Sequence, residues 1–147
     1  MRAVVQRAGK SRVLAEGKVT GEIEKGFVVL LGVGKEDKEE DALYLAKKIA
    51  GLRVFEDSMG KMNLGIKETG GEILCISQFT LYADTRKGNR PSFVDAALPD
   101  DAKALYDLFT GFLRQEGIKV QEGVFKADMK VELINDGPVT IMIDSRK

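Results

Sequence analysis

Residues 72–82 read EILCISQFTLY. In an extended chain Ile73, Cys75, Ser77, Phe79 and Leu81 share one face, and Leu74, Ile76, Gln78 and Thr80 share the other. Both faces are apolar at the start, which predicts a strand from Glu72 to about Tyr82 lying buried in the middle of a sheet. At its far end Ser77, Gln78 and Thr80 bring two hydroxyls and an amide together. The basic loop DTRKGNR (84–90) follows at once.

Such a strand needs neighbours, and the sequence supplies them on both sides. Residues 1–8, 11–16, 18–24 and 26–33 (GFVVLLGV) read as four short strands separated by glycine or charge. The period then changes in DKEEDALYLAKKIAG, where Asp37 and Glu40 form a capping-box-like start. Ala42, Leu45, Ala46 and Ile49 make one apolar helical face, and Gly51 ends it. LRVF is a short strand, and EDSMGKMNLGIKETGG (56–71) reads as an irregular connection. A second amphipathic helix follows in PDDAKALYDLFTGFLRQEG, with Ala104, Leu105, Leu108, Phe109 and Phe112 turned inward and Gly117 closing it. IKVQEGVF, MKVELIND and PVTIMIDS complete the set of strands. Two main helices among about nine strands predict an α+β fold on a curved antiparallel sheet or β-barrel. With 147 residues and no repeat or linker, 1–147 reads as a single domain.

Composition narrows the chemistry. Lysine plus arginine equals aspartate plus glutamate at 23 each, so no global field draws the chain to a nucleic-acid backbone, and any such contact must be local. There is no histidine, which removes Ser-His-Asp and Cys-His catalysis, His-bearing zinc sites and an imidazole acid or base. No carboxylate spacing suggests a metal site. The single cysteine, Cys75, lies mid-strand and reads as a buried, inert thiol. GVGKED (32–37) lacks the first glycine and the Ser or Thr of a phosphate loop and is rejected as one. MRAVVQRAGK alternates like a strand and has no apolar leader or membrane span, which predicts a cytoplasmic protein with no membrane association.

Two stretches could carry chemistry. Ser77, Gln78 and Thr80 stand where a rigid strand gives way to a loop, a place that suits either local hydrogen bonding or a functional site. The loop's Arg86, Lys87 and Arg90 fit a solvated basic turn or a phosphate holder. In NDGPVT (135–140), Gly137-Pro138 interrupts two strands; a tight hairpin turn is one reading, and the sequence alone gives no reason to assume a cis bond there.

Taken together, SQFTL (77–81) and NDGPVT resemble the signature pair of the D-aminoacyl-tRNA deacylases, also called D-tyrosyl-tRNA deacylases. The likeness spans the chain: MRAVVQRA, GFVVLLGV, LRVFEDSMGKMN, RPSF and GVFKADMKVELINDGPVT occur in the family's order. The resemblance implies hydrolysis of the ester between a D-amino acid and the 3′-terminal adenosine of tRNA, without a cofactor. It implies a homodimer in which Gly137 and Pro138, joined by a cis peptide and held by Arg7, enter the partner's pocket and exclude L-amino acids. Ser77, Gln78, Phe79 and Thr80 would form the catalytic end, and Phe125 and Met129 would hold the adenosine. Exclusion by a wall also predicts removal of glycine, which has no side chain to collide. Thr80 as nucleophile and assistance by the ribose 2′-hydroxyl both stay open. So do two other classes, a non-catalytic module binding RNA ends or small ligands, and an esterase or amidase acting on free D-amino-acid derivatives.

Overall fold

The computed structural model describes residues 1–147. Strand β1 (Arg2–Ala15) is its spine. Along one edge β1 pairs with β8 (Met129–Asp144) for nearly its whole length. Its other edge is shared: β3 (Gly26–Gly32) covers Arg2–Ala8, and β2 (Lys18–Ile23) covers Ser11–Ala15. Beyond β3 lie β6 (Glu72–Ser77) and β7 (Val120–Glu122). The sheet curls until β2 meets β7, where a Cβ on Gly21 would stand 2.9 Å from the Glu122 carbonyl oxygen. The result is a nearly closed barrel.

Alternation along these strands separates two cores. Phe27, Val29 and Leu31 of β3, with Ile73 and Cys75 of β6, face the larger one under α1 (Glu39–Ala50) and α3 (Pro99–Gln115). Val28, Leu74 and Ile76 point the other way and join Ala8, Val13 and Ile23 inside the barrel. Burial on both faces accounts for the apolar character of both β3 and β6, and the expectation of a central β6 holds. Within α1, Ala42, Leu45, Ala46 and Ile49 are all buried, as their spacing predicts.

Several expectations need correction. The sheet is mixed, because β3–β6 and β6–β7 are parallel pairs. Each pair is joined by a long crossover carrying a helix, which parallel neighbours require. Residues 1–8 and 11–16 are one strand, with a register shift between Ala8 and Ser11 where turn residues seemed to divide it. The segment 56–71 contains β5 (Met62–Gly65), paired with β4 (Arg53–Glu56), and a third helix, the short α2 (Ile66–Thr69). The first helix starts one residue later than Asp37 suggested, with the Lys38 N–H donating to Asp41 at 2.8 Å. In α3 Phe109 is buried, but Ala104 and Leu108 face outward, while Tyr106 turns in and its hydroxyl donates to the Cys75 carbonyl at 2.9 Å. MKVELIND and PVTIMIDS form the single strand β8, so Gly137-Pro138 is not a hairpin turn. No helix is long and apolar enough to cross a membrane.

Gly26 fixes how closely β3 and β6 approach. At φ 138° a Cβ there would stand 1.9 Å from the Glu72 carbonyl oxygen, whereas Gly17, at φ 75°, has open space around it. Gly26→Ala is therefore expected to cost about 3 kcal/mol or more, and Gly17→Ala only about 1 kcal/mol, in urea unfolding at 25 °C. Equal losses would contradict the close strand approach.

Candidate active site

Strand β6 ends at Ser77, in register with Leu31, and the Gln78 N–H closes the ladder on the Leu31 carbonyl at 2.8 Å. The chain then turns instead of continuing as the expected strand. Phe79–Tyr82 form a 3₁₀ turn, with Leu81 N–H donating to the Gln78 carbonyl at 3.2 Å and Ala83 N–H to the Thr80 carbonyl at 3.0 Å. Gly32 and Gly34 make the turn possible. A Cβ on Gly32 would lie 3.0 Å from the Gln78 carbonyl oxygen, and one on Gly34 within 2.8 Å of the Tyr82 ring. The glycines of GVGKED thus serve close packing of this turn. Gln78 and Thr80 leave the strand face assigned to them, and the Gln78 amide donates to the Thr80 hydroxyl. Phe79 is 56% exposed and meets Phe93 edge-on at 5.0 Å.

The far end of the turn is clamped. Arg2 donates to the Leu81 carbonyl at 2.9 Å and lies 4.4 Å above the Tyr82 ring. The Tyr82 hydroxyl donates to Asp37 at 3.1 Å, and the same carboxylate takes the Gly34 N–H at 2.6 Å and the Met1 ammonium at 2.7 Å. Burial, then the Asp37 charge, pushes the Tyr82 phenol up, so it stays a donor through the neutral range.

Gly137 and Pro138 are held by a different device. Gln6 pairs with Thr140 and Ala8 with Asn135, so Arg7 alone lies opposite the bulge Asp136–Val139. Arg7 is 8% exposed. Its Nε donates to the Asp136 carbonyl at 3.0 Å and its Nη1 to the Val54 carbonyl at 2.7 Å. The Gly137-Pro138 peptide is cis, and residues Asn135–Pro138 are exposed. A Cβ on Gly137 would stand 2.9 Å from Arg7 Nη2, so the glycine is what allows the guanidinium to seat beneath the bulge.

Phe125 and Met129 flank the barrel near the middle of β6. Phe125 sits on a turn rather than in the expected strand, half-buried, with its ring 6.1 Å from Tyr106. Met129 begins β8 and packs on the inner core beside Gly123, whose Cβ position would lie 2.5 Å from the Met129 sulfur and 3.3 Å from Ile76. Burial pushes the Cys75 thiol up to about 12, in keeping with an inert side chain. No side-chain hydrogen bond joins Gly137-Pro138 to Ser77–Thr80 within the chain. Two depressions, each about 380 Å³, lie between Arg12 and Glu132 and between Arg2 and Arg146; neither is lined by these residues.

A family profile described as D-Tyr-tRNA(Tyr) deacylase matches residues 4–144. The chain belongs to the D-aminoacyl-tRNA deacylase family. It is 57% identical over 147 residues to a D-aminoacyl-tRNA deacylase of Anaeromyxobacter dehalogenans, covering 100% of this chain and 99% of that one. With the enzyme of that name from Thermus aquaticus it shares 58% over 145 residues, covering 99% and 95%. Among solved structures it resembles a c-Myc DNA unwinding element binding protein, with TM-score 0.91, 39% identity and 98% of each chain covered. A probable eukaryotic D-amino acid tRNA deacylase shares the fold, with TM-score 0.84 at 18% identity over 97% of each chain.

The clamp on the 3₁₀ turn went unread in the sequence. Asp37 looked like a helix cap, and Arg2 and Tyr82 lie too far apart in the chain to suggest a pair; the glycine spacing at 32 and 34 was the one available signal. For the deacylase bulge, Arg7→Lys replaces a planar fork by a single ammonium that cannot serve both the Val54 and Asp136 carbonyls. It is expected to cost about 2 kcal/mol in urea unfolding. Arg12→Lys, altering an exposed pair with Glu132, should cost less than about 0.5 kcal/mol.

Proposed function

We propose that this deacylase works as a homodimer in which Gly137-Pro138 of each subunit forms one wall of the partner's site. The observation that carries the reading is the Arg7-held bulge, which is exposed and makes no hydrogen bond to the Ser77–Thr80 end of its own chain. Strand β8 adds support, because it pairs only with β1 and exposes Ile134 and Met142 at 60% and 73%. A long apolar edge strand of this kind is normally covered by another chain. The reaction is hydrolysis of the ester of D-aminoacyl-tRNA to free D-amino acid and tRNA. All of 1–147 acts as one domain in the cytoplasm, and no cofactor takes part.

Chirality is read by exclusion. With the α-amino group and the ester fixed, an L side chain collides with the Gly-Pro carbonyls, while a D side chain points away. Discrimination then comes from a built clash and not from a side-chain pocket, so many D-amino acids fit. Ser77, Phe125 and Met129 shape the seat for the terminal adenosine. The ester itself is labile, so the enzyme's task is to orient it and stabilise the oxyanion. Phe79 and Thr80 N–H groups precede the first bond of the 3₁₀ turn and are free to donate. With the Gln78 amide they make the oxyanion site, each donor contributing about 2.7–4 kcal/mol to transition-state stabilisation. Thr80 accepts a bond from Gln78 and no base touches it, which favours water assisted by the ribose 2′-hydroxyl over attack by Thr80.

Incubation with D-tyrosyl-tRNA, L-tyrosyl-tRNA, glycyl-tRNA and D-tyrosine methyl ester tests this. The D and glycyl esters are expected to be hydrolysed about 100-fold or more faster than the L ester, and the methyl ester to survive. Survival of glycyl-tRNA beside rapid loss of the D ester would contradict the steric wall. Equal loss of the methyl ester would point to an esterase that needs no tRNA, and binding without turnover to a non-catalytic module.

A further inference from the structure

The loop after the 3₁₀ turn has the form of a built excursion. Asp84 and Ser92 exchange both backbone hydrogen bonds, at 2.8 and 2.9 Å, and so close Thr85–Pro91 into a defined loop. Next in the chain, Phe93 packs against Phe79, which fixes the base of the loop to the turn that carries Thr80. Three cations rise from it, and they are not equivalent. Arg86 is spent on Asp84, whose carboxylate takes its backbone N–H at 3.0 Å, its Nε at 2.9 Å and its Nη2 at 2.6 Å. The Arg86 hydrogen bonds hold that carboxyl well below its ordinary range, at about 2. Lys87 and Arg90 are exposed and have no carboxylate partner, although acids equal bases across the chain. Two unneutralised cations on a closed loop beside the reaction centre are a local positive site on a neutral protein.

We infer that Lys87 and Arg90 hold phosphates of the single-stranded 3′ end of the tRNA as it leaves the site. This rests on the functional reading above. If the terminal aminoacyl-adenosine lies against Gln78–Thr80, the phosphodiesters of the preceding nucleotides must pass the rim of the site within one or two nucleotides. The loop stands on that rim, joined to Tyr82 through Ala83 alone. Phosphate contacts of this kind position the substrate without reading sequence. They suit an enzyme that must accept many tRNAs, and they give a net-neutral protein its grip on RNA.

The experiment compares wild type, Lys87→Gln/Arg90→Gln and a charge-matched control, Lys47→Gln/Lys48→Gln on α1, on D-tyrosyl-tRNA and on 3′-D-tyrosyl-adenosine, which has no phosphate. Each contact to single-stranded RNA adds about 0.7 to the slope of log KM against log salt, so the loop variant should lose about 1.4. Between about 50 and 200 mM salt its KM for the tRNA should then rise about sevenfold less than that of wild type, with kcat unchanged. The control should keep the wild-type slope, and all three proteins should cleave the adenosine ester alike. A loop variant with the wild-type slope, or one equally impaired on the adenosine ester, would overturn the inference. A wild-type enzyme inactive on both esters would overturn the functional reading itself, and this contact with it.

Discussion

Two hydrogen bonds from one buried guanidinium organise the exposed bulge that carries Gly137-Pro138. Arg7 donates to the Val54 carbonyl and to the Asp136 carbonyl, and so ties β4, β1 and β8 together at a single point. Opposite it the β8 chain runs Asp136–Val139 with no ladder partner of its own. Such a bulge would otherwise be free to slide or collapse. Arginine is suited to the position because its rigid fork can satisfy two carbonyls at once, whereas an amine would leave one of them unpaired in a buried place. The wall proposed for stereochemical selection must not yield, and the guanidinium beneath Gly137 holds the bulge in place.

The Ser77–Thr80 end of the candidate site is fixed in a similar way. Strand β6 delivers Ser77 from the most deeply buried region of the fold, and the 3₁₀ turn that follows is fastened at both ends. Leu31 holds its start, and Arg2 with the Asp37–Tyr82 pair holds its finish. A chain with no histidine can therefore still present oriented donors, because orientation comes from packing and backbone and needs no titrating side chain. In the proposed mechanism a fragile ester makes that sufficient.

How far the sequence disclosed this follows from the range of each interaction. The apolar faces of β6 and α1 were readable because periodicity is local, and Ser77, Gln78 and Thr80 were noticed because they follow such a run. The direction of strand pairing was not readable from alternation. Adjacent strands suggested hairpins, but α1 and α3 each carry the chain back over the sheet, so β3, β6 and β7 run parallel. Residues 78–82 have the composition of a strand and still turn, because Gly32 and Gly34 far upstream leave space for them. Local pattern likewise left the bulge at Gly137 open to a hairpin reading, and only the family resemblance named Arg7, on a strand more than a hundred residues away, as the residue that holds it. Tertiary contact overrode local pattern at each of these places, and all of them lie at or beside the candidate site.

In the proposed homodimer every site is assembled from two subunits. Mixing dissociated chains carrying Gly137→Ala with chains carrying both Gln78→Ala and Thr80→Ala measures this directly, each variant being inactive alone. Random reassociation should restore about a quarter of the wild-type rate on D-tyrosyl-tRNA, because half of the dimers would be mixed and each would have one intact site. A mixture as inactive as its components, with subunit exchange verified, would mean that the bulge serves its own chain and that the shared site does not exist.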